Sequence, residues 1–420
     1  YNDNDYFIFS SEAKAILSTG VVNNKINLNS FVEFSTFGNL STSETLFDKI
    51  KILEPSQFIK VQNNKITTNF YWHFKKNNNV LSKNEEIDQI SKSALTESIS
   101  SHLISDVPLA TQLSGGIDSS LITAISKKNL KKNIDSVSIT IEDSILSESK
   151  YIEKVKNILS IKNHNFNFNK EIFFNNLEKA VWHYDFPFFI PNSLGIFEIS
   201  KKSKKNYTVL LSGEGADELF FGYDRYFRIK LFSDLARNFK FIKNNKFLLK
   251  NLILSNDSSS FIELFCDVTL FNKNIENNII NKRFNKFFDN NDSFINNFQK
   301  YEIRTHLHEL LIRQDKMSMA YSIENRVPFL SDKMINLSNK LNANHNIKYK
   351  LSSSNRSKYS KMILKNISKY YFDEKFIYRD KSGFSLPLRD YFISAKFNEF
   401  YQYNFLPSIK NNALFDIKKI

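Results

Sequence analysis

The sequence predicts an α/β fold: a parallel sheet with a helical C-terminal part, preceded by a β-rich segment. From Glu85 onward the apolar runs "VPLATQL", "SVSITI", "HNFNF" and "YTVLL" are typical of strands, and stretches of helical spacing lie between them. Strands that alternate with helices indicate parallel pairing. Before them, residues 1 to 72 hold the shorter strand-like runs "YFIFS", "QFIKV" and "ITTNFYW", which turns separate.

A polar, Asn-rich stretch, "HFKKNNNVLSKN", divides these two patterns and is typical of a linker. We therefore predict a first domain over residues 1–75, a linker over 76–84 and a second domain over 85–420. Within the second domain, residues 225–330 favour helix. An Asn-rich section there carries an apolar stripe at helical spacing that predicts a packed helix, formed by Ile275, Ile279, Ile280, Phe284, Phe287 and Phe288.

Composition restricts the class of protein. The net charge of +14 can attract nucleic acid or membranes, but the lysines are spread along the chain, so we expect a solvated basic surface and neither partner. The single cysteine, Cys266, excludes an internal disulfide and a multi-cysteine zinc site and favours the reducing cytoplasm. No apolar run reaches the roughly 18 residues of a membrane span, and no signal peptide is visible. Because Tyr1 begins within a strand-like run, we expect a preceding portion of chain.

The stretch "QLSGGIDSSL", residues 112 to 121, follows a predicted strand and opens a predicted helix. Backbone N–H groups and the positive end of the helix dipole make such a turn a seat for anions, and glycines let phosphate oxygens approach closely. Asp118 stands where a carboxylate can hold Mg²⁺ against those oxygens. The Walker pattern is absent because no lysine follows the glycines. Taken alone, a capped glycine turn explains this stretch better.

A second stretch, "LSGEGADELFFGY", has the same character. The strand "YTVLL" ends in Ser212 and Gly213, with Glu214, Asp217 and Glu218 at the turn. Acidic residues in a first helical turn also complement the helix dipole, which is the structural alternative. Two glycine-rich, acid-bearing strand ends in one parallel sheet open at its carboxyl edge, where such folds bind ligands. Together they predict one nucleotide–Mg²⁺ site.

Five motifs in order carry a resemblance to a known family: "SHLISDVPLATQLSGGIDSSL", "SVSITIEDS", "VLLSGEGADELFFGY", "IRQDKMSMAYSIENRVPFL" and "RDKSGFSLPL". From about Glu85 to Phe392 they resemble the synthetase half of the glutamine-hydrolysing asparagine synthetase family, which are class II amidotransferases. "FIFSSEAKAIL" and "LEPSQFIKVQNNKITTNFYW" are similar to the closing segments of that family's glutaminase domain. The resemblance implies a sheet of the ATP-pyrophosphatase (adenine nucleotide α-hydrolase-like) type. It also implies that residues 1–75 are the C-terminal remnant of an N-terminal-nucleophile glutaminase domain, whose nucleophilic cysteine this chain does not contain.

The same resemblance implies an ATP-dependent amide ligase that uses ATP and Mg²⁺. In the family an acceptor carboxylate attacks the α-phosphorus of ATP, giving an acyl-adenylate and pyrophosphate, and ammonia then displaces AMP. The implied partners are a small-molecule carboxylate acceptor and ammonia or glutamine. The oligomeric state is open, and a homodimer is one candidate.

Site residues follow from the resemblance position by position. The residues implied to hold pyrophosphate are Ser114, Gly115, Gly116, Asp118, Ser119 and Ser120, with Asp118 and Asp217 as Mg²⁺ ligands. Those implied to line the adenosine site are Gln112, Ile139, Ser212 and Gly213. Glu214 matches the acid linked to adenylate formation and to deprotonation of the attacking ammonia. Tyr223 is implied to lie near the acceptor, and Lys381 to bring positive charge to the phosphates.

Other matched residues have a structural explanation as well. Arg313, Asp315, Lys316, Glu324 and Arg326 match a family motif, but buried ion pairs that position helices explain them equally well. His306 and His308 are two residues apart, so on a helix they do not share a face, and we predict no zinc site there.

Because of two departures from the family pattern, the sequence is compatible with more than one acceptor. Phe221 replaces a glycine of the usual "FGGY", and the acceptor segment "FFIPNSLGIF" has one hydroxyl residue, Ser193, where asparagine-forming members usually carry several. We expect the acceptor to contact residues 191 to 195 together with Glu214 and Tyr223. Aspartate is the leading acceptor. The alternatives are another carboxylate, such as a uronic acid in surface-polysaccharide assembly, and a tRNA-modifying enzyme of the pyrophosphatase-loop type.

Overall fold

A computed structural model describes residues 1–41, 43–63, 65–74, 81, 84–141, 148–238, 278–279, 282–283, 285–288, 292–348, 359–379 and 386–409. Several residues singled out from the sequence fall outside this part: Lys381, Cys266 and, in the predicted apolar stripe, Ile275, Ile280 and Phe284. So does most of the predicted linker.

The N-terminal part contains two short helices, α1 (Ala13–Leu17) and α2 (Leu28–Phe37), and an antiparallel hairpin of β1 (Gln57–Gln62) and β2 (Lys65–Phe70). The hairpin confirms the strands predicted at "QFIKV" and "ITTNFYW". The strand predicted at "YFIFS" is wrong, because that segment makes only an isolated bridge between Asn2 and Phe7. The chain turns back at Asp3, whose carboxylate accepts the N–H of Tyr6 at 2.7 Å, so the segment pairs with its own start.

The second part is built on a five-stranded sheet in which every neighbouring pair is parallel. Its strands are β3 (Leu109–Gln112), β4 (Asp135–Ile141), β5 (Asn163–Phe168), β6 (Val209–Leu211) and β7 (Glu324–Arg326), in the spatial order β5-β4-β3-β6-β7. The parallel α/β prediction is confirmed. Central strands covered on both faces carry continuous apolar runs, and Val209, Leu210 and Leu211 are indeed fully buried.

Strand β7 was not predicted from the sequence. Its residues, Glu324 to Arg326, are polar and show no alternation, so no local pattern marks them as a strand. They are extended because their backbone pairs with the open edge of β6, where Val209 is opposite Glu324 and Leu211 is opposite Arg326.

Helices account for most of the remaining described residues. In chain order they are α3 (Asn84–His102), α4 (Ile117–Ala124), α5 (Ser149–Leu159), α6 (Lys170–Tyr184), α7 (Ser193–Ser203), α8 (Ala216–Leu219), α9 (Asp224–Asn238), α10 (Phe294–Arg304), α11 (His306–Met319), α12 (Asp332–Lys340), α13 (Ala343–Asn346), α14 (Met362–Ser368), α15 (Glu374–Ile377), α16 (Leu388–Phe392), α17 (Ala395–Phe400) and α18 (Leu406–Ile409). Helices α9 to α11 confirm, for the described residues, the helical prediction over 225–330. None of the helices in the described ranges combines the length and apolarity needed to cross a membrane.

The side of the sheet on which successive strands are added changes between β3 and β6. The chain passes from β3 to β4 and β5 on one side, and β6 then pairs with β3 on the other. Thr111 is opposite Leu211, so the carboxyl ends of β3 and β6 lie side by side. Open α/β sheets bind ligands in the crevice at such a point. Both glycine-rich stretches follow these two strand ends.

Candidate active site

A cavity of about 670 Å³ opens at the carboxyl ends of β3 and β6. A smaller cavity of about 170 Å³ lies beside it and shares part of its wall, including Gln112, Ser114, Asn192, Glu214 and Arg313. The predicted site residues that line the larger cavity are Gln112, Ser114, Gly116, Asp118, Ser119, Ser212, Gly213, Glu214, Asp217 and Tyr223. The structure therefore gathers residues of both glycine-rich stretches around one space.

The first glycine-rich turn is fixed by its backbone. Gly115 has a φ of +83°, and a Cβ there would lie 3.1 Å from the Cβ of Tyr151, so glycine fits both the conformation and the space. Helix α4 begins directly after Gly116. The Ser119 hydroxyl accepts the N–H of Ser114 at 3.2 Å and ties the turn to the helix. The positive end of the helix dipole therefore faces the cavity.

The second turn lies against the first. A Cβ at Gly213 would lie 3.0 Å from the Cβ of Asp118 and 3.2 Å from the backbone nitrogen of Ser119. Gly215 has a φ of +86°, the left-handed region that glycine enters without a steric cost. The two turns can approach this closely because glycine occupies the contact.

A buried lysine, Lys361, joins the carboxylates of the two turns. Its Nζ lies 2.6 Å from Asp118 Oδ2 and 2.7 Å from Asp217 Oδ1. Burial alone would lower the pKa of Lys361, but the charges of Asp118 and Asp217 outweigh burial and raise that pKa above its usual value. The ammonium is therefore charged and sits between the two residues that the sequence assigned to Mg²⁺.

The donor set here fits a divalent cation that is shared with phosphate oxygens. Asp118 Oδ1 is buried and accepts no hydrogen bond from the described residues. Mg²⁺ bound with a nucleotide typically takes one or two carboxylates and completes its shell with phosphate oxygens and waters. In the described part of the chain no group of three or more histidine, cysteine or carboxylate side chains could hold a metal.

Glu214 is held by an arginine. Arg313 on α11 donates to Glu214 Oε1 at 2.6 Å through Nη2 and to Asn192 Oδ1 at 2.7 Å through Nη1. Lys316, one turn later on the same helix, instead pairs with Asp185 at 2.9 Å, away from the cavity. Of the family-motif residues with two explanations, Arg313 lines the cavity, whereas Lys316 has the structural role.

Tyr223 lines the cavity and contacts the buried Glu218 behind it. The Tyr223 hydroxyl donates to Glu218 Oε1 at 2.6 Å. Burial and the charge of Asp217 raise the pKa of Glu218 to about 8, so its carboxyl carries a proton at neutral pH. Burial and the charge of Glu218 likewise raise the pKa of Tyr223 far above its usual range. Arg225, whose Nε donates to Glu302 at 2.9 Å, lies 4.2 Å from the Tyr223 ring.

Arg379 fixes the first turn from the other side. Its Nη2 donates to the carbonyl oxygen of Gly115 at 2.6 Å, and its guanidinium stacks 3.8 Å from the ring of Tyr151. Arg379 lines the cavity as well. It therefore adds positive charge next to the turn proposed to hold phosphates.

Some predicted residues lie elsewhere. Ser120 is fully buried and does not line the cavity, because its position on α4 faces the core. Ile139 lines the smaller cavity with Gln112, which is consistent with the adenosine site proposed for both. Ser193, in the predicted acceptor segment, is buried and donates to the carbonyl of Ile190 at 2.5 Å. Its neighbour Asn192 lines both cavities.

Two histidines on α11 line different spaces. His306 faces the larger cavity, and burial lowers its pKa to about 3. His308 faces a separate cavity of about 50 Å³ between the N-terminal part and α11, and burial lowers its pKa to about 4. Both imidazoles are therefore neutral at physiological pH, and they face different cavities.

The N-terminal part forms one wall of the large cavity. Residues 36 to 39, at the end of α2, line it beside Phe189 of the acceptor segment. Gly38 has a φ of +70°, and a Cβ there would lie 2.5 Å from the Phe189 ring. This close contact joins the two parts of the chain at the rim.

Sequence reasoning missed Lys361, Arg379 and Arg225. No local signal marks Lys361, because it follows a Ser- and Lys-rich stretch without a motif. Arg379 stands two residues before Lys381, in the motif already noted, so the motif itself was an available signal. Arg225 lies two residues after the second glycine-rich stretch and could have been included in the same way.

Family models match both parts of the chain. The asparagine synthase model matches residues 91–418, and the glutamine amidotransferase domain model matches residues 1–72. The chain is 30% identical over 427 residues to glutamine-hydrolysing asparagine synthetase 1 of Bacillus subtilis strain 168, which covers 94% of this chain and 64% of that protein. It is 26% identical over 360 residues to asparagine synthetase 3 of the same strain, covering 78% and 54%. The chain thus spans less than two thirds of the length of either relative.

Among solved structures, the NH3-dependent NAD synthetase of Campylobacter jejuni is similar over 50% of this chain and 98% of that chain, at 17% identity. The TM-score is 0.25, which is too low to support any inference about function.

Proposed function

Because the chain belongs to the asparagine synthase family, we propose that it is an ATP-dependent carbon–nitrogen ligase that activates a carboxylate and transfers ammonia to it. One observation carries the proposal. Two glycine-rich strand ends bring Asp118, Asp217 and Glu214 to a single cavity, in a site without a Walker lysine. The family match over residues 91–418 supports this ligase, and a tRNA-modifying enzyme is the competing hypothesis from a different class.

In the first step an oxygen of the acceptor carboxylate attacks the α-phosphorus of ATP, and the bond to the bridging oxygen of pyrophosphate breaks. The charge on the departing pyrophosphate is stabilised by the N–H groups at the start of α4 and by two cationic side chains, Lys361 and Arg379. Asp118 and Asp217 would hold Mg²⁺, which neutralises charge on the phosphates when bound. The contact between Lys381 and the phosphates stays a prediction from the resemblance, because Lys381 lies outside the described residues.

In the second step ammonia attacks the activated carbonyl carbon, and AMP leaves with the electron pair of the broken bond. The attacking nitrogen must lose a proton before a neutral amide can form. Two glutamates, Glu214 and Glu148, line both cavities. Glu148 pairs with Arg379 at 3.4 Å, and we assign Glu214, for which the family resemblance implies this role, as the acceptor of that proton. Arg313 fixes its orientation through the contact at 2.6 Å.

Aspartate is the acceptor that we propose first, because the relatives are named asparagine synthetases. Another carboxylate, such as a uronic acid, is the second candidate, because residues 189 to 193 offer few partners for the charges of an amino acid. With Ser193 turned into the core, Asn192 is the one polar side chain that residues 189 to 193 present to the cavity. Phe189 and Ile190 make the rest of this wall apolar, whereas an amino acid needs partners for both of its charges.

The test is to incubate the 420-residue chain with ATP, Mg²⁺ and ammonium and to measure pyrophosphate release against a panel of carboxylic acids. An acceptor labelled with ¹⁸O in its carboxylate should pass one labelled oxygen to AMP. We expect Asp118→Asn and Asp217→Asn to abolish this transfer, because each removes a carboxylate that faces the phosphates. ADP and orthophosphate as products would contradict the proposal.

Glutamine serves as the comparison nitrogen source. We expect ammonium, but not glutamine, to support the reaction of the 420-residue chain, because the family's N-terminal nucleophilic cysteine is not in this sequence. Ammonia release from glutamine by this chain would contradict that expectation.

A further inference from the structure

Lys361 occupies the space between the two carboxylates that we assign to Mg²⁺. Its side chain is 7% exposed, and its Nζ contacts Asp118 Oδ2 at 2.6 Å and Asp217 Oδ1 at 2.7 Å. The ammonium therefore uses one oxygen of each carboxylate, and Asp118 Oδ1 stays buried without a hydrogen bond from the described residues.

Local preferences do not place a lysine at this position. Lys361 is the N-cap of α14, where a cation opposes the helix dipole, and it has a left-handed backbone with a φ of 51° that favours glycine. Gly222 makes the approach feasible, since a Cβ at that residue would overlap both Lys361 Cε and the Asp217 carboxylate. The ion pairs with Asp118 and Asp217 are what hold the side chain here, and an unfavourable backbone held in this way is a sign of function.

We propose that Lys361 neutralises Asp118 and Asp217 in the nucleotide-free protein, so that a divalent cation binds there only together with the phosphates of ATP. The inference rests on the proposed function, which assigns these two carboxylates to Mg²⁺. An ammonium that already contacts both carboxylates repels a second cation at a few ångströms. Mg²⁺ also gives up its waters reluctantly, so two half-neutralised carboxylates bind it weakly.

Binding of the ATP triphosphate makes binding of the divalent cation favourable. Its negative charges compensate both Lys361 and the metal, and its oxygens supply ligands that the protein lacks. Asp118 Oδ1 then offers a ligand atom that Lys361 does not use. Besides its proposed contact with the phosphates, Lys361 thus makes the site accept the metal–nucleotide complex rather than the bare metal.

The experiment measures binding of Mn²⁺, a paramagnetic substitute for Mg²⁺, by electron paramagnetic resonance. The proteins are the wild-type chain, Lys361→Met and Lys369→Met, each without nucleotide and with α,β-methylene-ATP, which the reaction cannot cleave. Lys369 is the matched control because it is the C-cap of the same helix and does not line the cavity. Lys361→Gln serves as a second variant if Lys361→Met does not fold.

We expect nucleotide-free wild type and Lys369→Met to bind Mn²⁺ weakly and Lys361→Met to bind it at least about tenfold more tightly, because one repelling charge is gone. Adding Asp118→Asn to Lys361→Met should abolish that gain. With α,β-methylene-ATP all three proteins should bind Mn²⁺, and the gap between wild type and Lys361→Met should narrow.

Two results would overturn the inference and leave the metal assignment intact. One is tight nucleotide-free binding by wild type that Asp118→Asn removes. The other is equally weak nucleotide-free binding by wild type and Lys361→Met, with both binding Mn²⁺ once the analogue is present. Failure of every protein to bind Mn²⁺ even with the analogue would overturn the metal assignment, and the inference with it. Tight nucleotide-free binding of Mn²⁺ by wild type can be detected without any variant of Lys361.

Discussion

Glu218 and Tyr223 share a buried hydrogen bond behind the carboxylates of the cavity. Glu218 is 1% exposed, and its Oε2 has no partner among the described residues. A carboxyl in such a place stays protonated, because burial and the nearby charge of Asp217 raise its pKa to about 8 from a reference value of 4.5. The protonation state of a residue in this site therefore depends on its burial as much as on its type.

The pKa of Glu218 makes a prediction about stability. Between pH 4.5 and about 8 the folded protein keeps a proton that the unfolded chain has released, so the free energy of unfolding falls as pH rises through this window. Glu218→Gln removes this titration. We expect the variant to be more stable than wild type by an amount that grows from pH 4.5 to 8, reaching on the order of a few kcal/mol.

Urea unfolding at a series of pH values, without nucleotide or metal, measures this difference. Glu153→Gln is the control, because Glu153 is an exposed carboxylate on α5 and the change there should have little effect at any pH. A difference between Glu218→Gln and wild type that is constant across the pH range would show that Glu218 does not stay protonated.

Asn192 and Ser193 give a second prediction at this scale. Asn192 accepts from Arg313 at 2.7 Å at the junction of the two cavities, whereas Ser193 donates inward to Ile190. We expect Asn192→Ala to raise the KM for the acceptor about tenfold and the KM for ATP much less, because a hydrogen bond to a charged group contributes roughly 1.5–3 kcal/mol.

Ser193→Ala is the matched control. It should lower thermal stability slightly, through loss of one buried hydrogen bond, without changing the KM for any acceptor. Steady-state kinetics with the best acceptor from the panel separate the two. Equal effects of both substitutions on that KM would show that the whole segment is structural.

Among the elements, the turn between α8 and α9 departs most clearly from local rules. Phe221 stands there with a φ of 58°, where the family pattern has a glycine. Its side chain is fully buried and lies 5.1 Å from the ring of Tyr226, measured between ring centroids. The backbone conformation that glycine would adopt freely is kept, and the added ring fills the core beneath the turn.

Phe221→Gly tests which effect dominates. Relief of the left-handed backbone gains roughly 1–2 kcal/mol, but loss of a buried phenylalanine costs roughly 3–5 kcal/mol, so we expect a net loss of about 2 kcal/mol. Ser322→Gly is the control: Ser322 has a φ of 57° and is exposed, so this change should stay within about 1 kcal/mol of wild type. Urea unfolding measures both variants. A Phe221→Gly variant more stable than wild type would mean that backbone strain outweighs packing.

For the whole molecule, buried charges join the N-terminal part to the rest. Arg283 is 3% exposed and donates to Glu33 of α2 at 2.8 Å and to the Tyr301 hydroxyl of α10 at 3.0 Å. Asp185 accepts from Lys14 at 2.7 Å and from Lys316 at 2.9 Å. These contacts hold the end of α2 against the cavity whose wall it forms.

Arg283→Met should therefore destabilise the protein by roughly 3–5 kcal/mol, because it leaves Glu33 buried without its charge partner. The double variant Glu33→Gln with Arg283→Met should recover part of that loss. Lys156→Met is the matched control, since its pair with Glu153 is largely exposed and contributes at most about 1 kcal/mol. Thermal and urea unfolding measure the three. A loss no larger for Arg283→Met than for Lys156→Met would show that the two parts are held together by other contacts.

The sequence by itself determined the parallel α/β sheet and the two glycine-rich turns with their carboxylates. Apolar periodicity, turn glycines and acids next to strand ends are properties of neighbouring residues, so they are readable along the chain. The two strands between residues 57 and 70 were predictable for the same reason, although their pairing as a hairpin was not predicted. Periodicity failed at "YFIFS", where the run suited a strand but the chain turned back on itself.

Tertiary structure alone decided how these pieces meet. Lys361 reaches Asp118 across 243 positions, Arg313 reaches Glu214 across 99, and Arg283 reaches Glu33 across 250. It also decided that Asn192 faces the cavity while Ser193 does not, and that the polar residues of β7 form a strand. The physical reason is the same in each case: a buried charge or an open strand edge is satisfied by whichever partner the fold brings near, and no neighbouring residue records that partner.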